Sequence, residues 1–262
     1  MKKTFIILLL GIVSYASAQI VDVNFSGSGT TSFSAWSNVN SFNYPGYGSF
    51  PGNQPWPAPI PATQGSTNSI LNRITGSPTG GGPFLASESI YFGSFAQIPN
   101  SFGGTLRLSN NFSLTNLKTL IFQIQIGEAT GYDFFIPSGV PKLTFNGNLY
   151  YNAVFTNLVN RYQNGVFPSP ETGEDEPVYV NTWAYQWNIT NDLNITNYAV
   201  DFSGVTHSQV YAMRWDSTSI LQNTPVIPEP STLGLLFLVI TGVIVNIFKK
   251  MRSRQEVKSE VS

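Results

Sequence analysis

An uncharged apolar segment at 233–248 constrains this chain more than any other feature, because a folded protein has few environments that accept such a segment. Twelve of its sixteen residues are Leu, Ile, Val or Phe, and each of these favours membrane insertion by roughly 0.3 to 0.6 kcal/mol. A helix over 231–248 would be about 27 Å long, close to the ~30 Å hydrocarbon core of a bilayer. We expect a transmembrane helix over 231–248 rather than a buried core helix, because the segment is apolar on all sides.

Four basic residues follow the apolar segment: Lys249, Lys250, Arg252 and Arg254. Lysine and arginine clusters stay on the cytoplasmic side of a membrane span, so this basic stop is expected in the cytoplasm. Residues 255–262 then form a polar cytoplasmic tail. The part of the chain that precedes the span is expected outside the inner membrane.

The N-terminal residues have the three parts of a secretory signal peptide. Two lysines precede a nine-residue apolar segment at 5–13, and Ala16 and Ala18 form an A-x-A cleavage site. Nine residues of helix span only about 14 Å, roughly half of the hydrocarbon core, so a permanent N-terminal anchor is the weaker interpretation. We expect 1–18 to form a signal helix that is removed by cleavage after Ala18.

A short proline-containing motif stands just before the expected span: Pro228, Glu229 and Pro230. Proline holds φ near −65° and favours extended backbone in the residue before it. The motif should therefore form a stiff, non-helical segment at the membrane face, where an enzyme can reach it.

The tripeptide, the apolar span and the basic stop together resemble the PEP-CTERM sorting domain of Gram-negative bacteria, with the sorting signal at 226–254. The resemblance implies that a membrane-embedded exosortase recognises and processes this tail. It also implies delivery to the cell surface or matrix of a bacterium that makes extracellular polysaccharide. The alternative is an ordinary membrane-anchored protein in which Pro-Glu-Pro occurs by chance.

The region between the two ends, 19–225, is expected to be one extracytoplasmic domain. It contains six basic and eleven acidic residues, a net charge of −5, which disfavours nucleic acid as a partner. The chain has no cysteine, so disulfides and thiolate metal sites are excluded. Its single histidine, His207, reads as a turn residue and excludes a His-rich zinc site. We expect no metal and no cofactor.

Period-two alternation is the main structural signal in this domain. It is clearest over 119–126, where four apolar residues share one face and Gln123 and Gln125 lie on the other. Further strands are expected at 20–25, 70–74, 89–92, 105–108, 142–145, 150–155, 178–189, 198–202 and 209–215. Asn146 and Gly147 tolerate positive φ and predict a hairpin turn. These features predict an all-β fold, a single antiparallel β-sandwich of jelly-roll type.

Two aromatic groups are candidate ligand contacts. Trp183, Tyr185 and Trp187 share one strand face with Tyr179, and flat aromatics can stack on a sugar ring. The other interpretation makes this row part of the core, in which case the opposite face would meet a ligand through Gln186 and Asn188. The second group is in the proline-rich loop 44–61, where Trp56 belongs either to a contact surface or to a segment strapped over the sandwich.

No catalytic residues are expected from the motifs. A nucleophilic triad needs a histidine with partners, and no phosphate-binding loop is present. Two pairs of carboxylates, Asp201 with Asp216 and Glu128 with Asp133, leave a carbohydrate-active enzyme open as an alternative. The acidic segment 171–177 could bind calcium but reads more simply as a solvated loop. With no catalytic motif, the chain is expected to be non-enzymatic, and the resemblance to PEP-CTERM proteins implies a surface or matrix protein associated with exopolysaccharide.

The expected topology is testable with protease on intact spheroplasts. An antibody against 255–262 should detect a protected C-terminal fragment, while the outer domain is cleaved. Lysed spheroplasts should lose the fragment as a control. Digestion of the tail in intact spheroplasts, with the outer domain spared, would reverse the topology.

Overall fold

The computed structural model describes residues 20–48, 55–77, 80–93, 100–111, 114, 116–128, 133–169, 172–190 and 194–227, with the backbone alone at 148–150. The expected signal peptide, the Pro-Glu-Pro motif, the 231–248 span and the basic stop lie outside these residues. Within the described part of the chain, no helix is long and apolar enough to cross a membrane.

The described residues form fourteen β-strands and no regular helix. The strands are β1 (Thr31–Ser37), β2 (Ile60–Pro61), β3 (Gln64–Gly65), β4 (Ser69–Gly76), β5 (Phe84–Leu85), β6 (Ile90–Tyr91), β7 (Phe102–Asn110), β8 (Thr119–Gly127), β9 (Lys142–Phe145), β10 (Asn148–Tyr151), β11 (Phe155–Pro168), β12 (Asp175–Asn188), β13 (Tyr198–Val205) and β14 (Gln209–Thr218). The predicted all-β class is confirmed.

Two antiparallel sheets contain these strands. The first sheet has the order β11-β12-β8-β14-β1-β3, and the short β5–β6 hairpin joins it at β14. The second sheet has the order β10-β9-β13-β7-β4-β2. Strand alternation therefore gives each sheet an inner and an outer face.

The inner faces of both sheets contribute to one apolar cluster, as expected for a sandwich-like arrangement. The predicted alternation of β8 is confirmed, because all four residues of its apolar face are fully buried: Leu120, Phe122, Ile124 and Ile126. Val200 and Phe202 of β13 face them from the second sheet. At one side of the core, the rings of Trp36 and Trp215 meet edge to face at 5.6 Å.

Two predicted turns are confirmed. Asn146 and Gly147 have φ values of 51° and 70° and connect β9 to β10. His207 lies in the turn between β13 and β14 with φ 73°, and its Nδ1 is 2.6 Å from the Tyr91 hydroxyl.

The strand prediction was wrong at several places. Strand β1 was not predicted, nor were the short strands β2, β3 and β5. Residues 20–25 form no strand; they lie against the outer face of the first sheet, where Val21 binds the side chain of Gln123. The 14-residue strand β11 was largely missed, because it is an edge strand whose exposed side chains do not alternate clearly. Its pairing with β12 is irregular at two positions, between Leu158 and Asn160 and between Gln163 and Val166.

The side chain of Phe92 packs against two glycines of the second sheet. Its fully buried ring lies directly over Gly204 of β13, and a Cβ atom built there would stand 2.8 Å from the ring. A Cβ atom built on Gly103 of β7 would stand 2.9 Å from the Phe92 Cβ atom. Glycine at these two positions therefore gives the aromatic ring its space.

We expect Gly204→Ala to lower the free energy of unfolding by about 1–3 kcal/mol, because the added methyl group overpacks the Phe92 ring. Chemical denaturation would measure the loss. Adding Phe92→Leu to Gly204→Ala should cost less than Phe92→Leu costs in the wild type, since the smaller side chain relieves the clash. Equal costs in both backgrounds would contradict this account.

Candidate functional site

The aromatic row on β12 belongs to the core. Tyr185 is 7% exposed and Trp187 2% exposed, and the Trp187 Nε1 atom donates to the Tyr151 carbonyl at 2.9 Å. Trp183 is partly buried and packs against the same cluster. The hypothesis that these residues form a surface for stacking on a sugar is therefore corrected, since their rings face the second sheet.

Trp56 also packs inward. Its Nε1 atom donates to the Pro83 carbonyl at 3.1 Å, and its ring meets Tyr47 edge to face at 5.8 Å. Tyr47 in turn meets Tyr44 at 5.7 Å, and all three rings pack against the main core. The described parts of the proline-rich loop therefore lie over the sandwich as a strap.

Asp201 and Asp216, one of the two carboxylate pairs considered for catalysis, lie on different sheets and do not face one another. Asp201 lies on the outer face of the second sheet, where it forms two 2.6 Å bonds with Arg107. Asp216 lies on the outer face of the first sheet and binds Arg214. Glu128 accepts bonds from three donors: Arg161, Asn181 and the Tyr179 amide.

Glu174, Asp175 and Glu176 lie at the described end of the β11–β12 hairpin and are solvent-accessible. Thr172 donates to the Glu176 carboxylate at 3.4 Å. Among the residues that the structure describes, no three His, Cys, Asp or Glu side chains are grouped as a metal site would require. Glu171, which the calcium hypothesis included, lies outside the described residues.

The outer face of β12 is covered by the C-terminal end of the described chain. The Gln186 Nε2 atom donates to the carbonyls of Gln222 and Thr224 at 2.9 and 3.1 Å, and the Val226 amide donates to Gln186 Oε1 at 3.1 Å. Asn188 Nδ2 also donates to the Gln222 carbonyl, at 2.7 Å. Both residues proposed for ligand contact on this face are therefore occupied in holding the segment 219–227.

The N-terminal segment is held on the same face in the same way. Gln123, fully buried on β8, donates to the Val21 carbonyl at 2.7 Å and accepts from the Val21 amide at 3.0 Å. Gln222 connects the two segments, because its side chain donates to the Ser26 carbonyl and accepts from the Ser26 amide. We call the segments 20–27 and 219–227, with these glutamines, the terminal clasp.

A small apolar cluster lies beneath the clasp. Ile227 packs with Ile121 and Ala184 on the outer face of the first sheet, and five partly buried side chains surround them. Asn157 Nδ2 donates to the Ile227 carbonyl at 2.7 Å. The last described residue is thus fixed by both apolar burial and a hydrogen bond.

An open groove of about 550 Å³ lies beside the clasp on the outer face of the first sheet. We call it the outer groove. Its lining residues come from the N-terminal segment, β1, β3, β8 and β14 and include Asp22, Ala35, Gln64, Gln125, Ala212 and Arg214.

An ion-pair network closes one end of the outer groove. Arg214 binds Asp216 at 2.7 Å and also binds Asp22, and its guanidinium lies 4.5 Å from the centre of the Phe33 ring. Burial raises the pKa of the Asp216 carboxyl, although Arg214 opposes the shift. Burial lowers the pKa of Arg214, but the two carboxylates outweigh it and the net change is upward.

A second depression of about 430 Å³ shares Ser37 and Gln64 with the outer groove. Its other lining residues are Asn38, Asn43, Tyr44 and Thr63. Burial and the neighbouring Tyr47 raise the pKa of the Tyr44 phenol, so this hydroxyl stays protonated at neutral pH.

A smaller cavity of about 150 Å³ lies at the end of the sandwich. Phe145 and Tyr151 stack beside it with ring centres 4.7 Å apart, and Trp187 contributes to its lining. Of the residues proposed for ligand contact, Trp187 therefore borders this cavity, although its side chain is otherwise buried.

Comparisons of the chain with known protein families, curated proteins and solved structures found no match.

The clasp glutamines were missed because alternation places a side chain on a face without showing what covers that face. A signal was present in β8, where Gln123 shares its strand face with the apolar Ile121. A buried amide needs partners, and an exposed backbone segment can supply them.

We expect Gln186→Ala to release the C-terminal side of the clasp, because it removes three hydrogen bonds to the segment 219–227. Each lost bond costs about 0.5–1.5 kcal/mol. Hydrogen exchange at the Val226 amide should therefore become at least tenfold faster. Gln163→Ala, which removes an exposed glutamine from β11, is the matched control. Unchanged exchange in Gln186→Ala would contradict the role of the clasp.

Proposed function

We propose that this chain is a non-enzymatic exported protein of the cell surface or extracellular matrix, processed by an exosortase at its tail and associated with exopolysaccharide. One observation carries the proposal. Ile227 lies buried in the terminal clasp, and Pro228 of the Pro-Glu-Pro motif follows it directly. The packed domain thus reaches the candidate sorting signal at 226–254 without a linker.

The short connection supports processing at the membrane face. From Ile227 to residue 231, where the proposed span begins, the chain can extend at most about 14 Å. Before processing, the outer face of the first sheet would lie close to the bilayer. The Pro-Glu-Pro motif would then stand between domain and membrane, at a level that a membrane-embedded exosortase can reach.

The N-terminal side of the clasp agrees with removal of the signal helix. Cleavage after Ala18 would leave two residues before Val21, whose amide and carbonyl bind Gln123. The mature chain would therefore begin where its packing on the sheet begins. This supports 1–18 as a signal peptide.

The sheet order supports the finer jelly-roll assignment. Strands β7, β9 and β13 belong to the second sheet, whereas β8, β12 and β14 belong to the first. The chain therefore crosses repeatedly between the sheets, as it does in jelly rolls. This scaffold presents two broad outer faces and suits a structural or binding module.

The alternative, a carbohydrate-active enzyme, has no specific support. Glycoside hydrolysis needs two carboxyl groups within about 10 Å across one substrate site. Asp201 and Asp216 lie on opposite outer faces, and each forms an ion pair with an arginine.

The proposal predicts that full-length protein is shortened when it is co-expressed with an exosortase and keeps its mass without one. Glu229→Ala should prevent shortening, because it alters the motif between domain and span. Glu256→Ala, beyond the basic stop, is the matched control and should be processed normally. Intact mass spectrometry measures all four samples. An unchanged mass in wild type with the enzyme would refute sorting and favour a simple membrane anchor.

A further inference from the structure

We propose that the outer groove, together with the adjoining depression, binds a neutral polysaccharide chain along the outer face of β1 and β14. This inference deepens the proposed function and rests on it only for the source of the ligand. The binding chemistry comes from the described residues alone.

The first argument is the shape of the site. The two depressions, of about 550 and 430 Å³, share Ser37 and Gln64 and so form one continuous surface. It runs from Asp22 and Arg214 at one end to Tyr44 at the other. An open, extended site suits the interior of a polymer better than a small enclosed ligand.

The second argument is the floor of the site. Ala35 of β1 and Ala212 of β14 are small, partly exposed residues on the outer face, and both line the groove. These small side chains leave shallow positions beside their cross-strand partners, which are Arg214 and Gln64 for Ala35 and Ser37 and Gln125 for Ala212. A sugar ring presents a flat apolar face that can rest on these positions.

The third argument is the chemistry of the walls. Gln64, Gln125, Asn38 and Asn43 place amide groups along the site. Asn43 Nδ2 already donates to the Asn38 carbonyl at 2.8 Å, and Gln125 has a partner within the protein. Ligand contact therefore falls mainly to the amides of Gln64 and Asn38 and to the Tyr44 hydroxyl, each of which can donate and accept hydrogen bonds. A polyhydroxyl ligand offers both donors and acceptors, so this lining matches it.

Charge argues against an anionic ligand. Arg214 is the cation that lines the groove, and Asp216 and Asp22 both bind it. Asp22 is also highly exposed, with 86% of its side chain accessible. A phosphate or a uronic acid would meet this carboxylate, so a neutral saccharide is favoured.

A peptide ligand is disfavoured for a different reason. Extended peptides bind by adding a strand to an exposed sheet edge. The groove lies on the face of the sheet, where β1 is paired with β14 along seven residues and with β3 at two. The backbone there is engaged in the sheet, and side chains must make the contacts.

The test uses the full-length chain in detergent on an array of neutral and anionic oligosaccharides, followed by calorimetry with the best neutral oligosaccharide. Gln64→Ala should weaken binding about fivefold, the usual effect of one lost hydrogen bond. Ala212→Leu fills the floor without removing a polar group and should weaken binding at least tenfold. Gln163→Ala, an exposed glutamine on β11, should bind as wild type does.

Three results would overturn the inference: no retention of any neutral oligosaccharide, preferential retention of anionic ones, or equal affinity in wild type and Ala212→Leu. Circular dichroism of each variant checks that it is folded. Exosortase processing is measured separately by mass. Loss of saccharide binding with normal processing would refute the groove alone, whereas binding without processing would refute the sorting proposal alone.

Discussion

Burial of the two inner sheet faces against each other is the interaction on which the rest of the molecule depends. Each fully buried Leu, Ile or Phe contributes about 1.5–3 kcal/mol, and the cluster takes such residues from both sheets. Because Tyr185 and Trp187 of β12 are used in this core, these two rings are largely withdrawn from solvent. The outer faces, by contrast, carry polar side chains and the two ends of the domain.

The terminal clasp shows how an outer face can be covered without another strand. The segments 20–27 and 219–227 form no ladder with the first sheet, so their backbone groups need other partners. Side-chain amides of Gln123, Gln186 and Gln222 bind both a carbonyl and an amide of the covering chain. Both ends of the domain consequently meet on one face, and the outer groove lies beside them.

The sequence predicted the fold where one face of a strand was consistently apolar. Period-two patterns identified β8, β9, β13 and most of β12 and β14, and Asn146-Gly147 identified a turn by its tolerance of positive φ. Sequence patterns did not predict the structure where contacts between residues far apart in the sequence determine it. Residues 20–25 alternate like a strand yet bind through Gln123, and the groove joins Asp22, Gln64 and Arg214 from three separate parts of the chain.

The irregular pairing of β11 has a consequence for the association of identical chains. An edge strand presents backbone groups to which a second chain could add, and that addition leads to aggregation. Two register shifts bend β11 along its length. The charged side chain of Arg161 and the proline ring of Pro168 also disfavour the addition of another strand. A neighbouring copy would have to match these register shifts to extend the sheet, so the edge resists pairing with an identical chain.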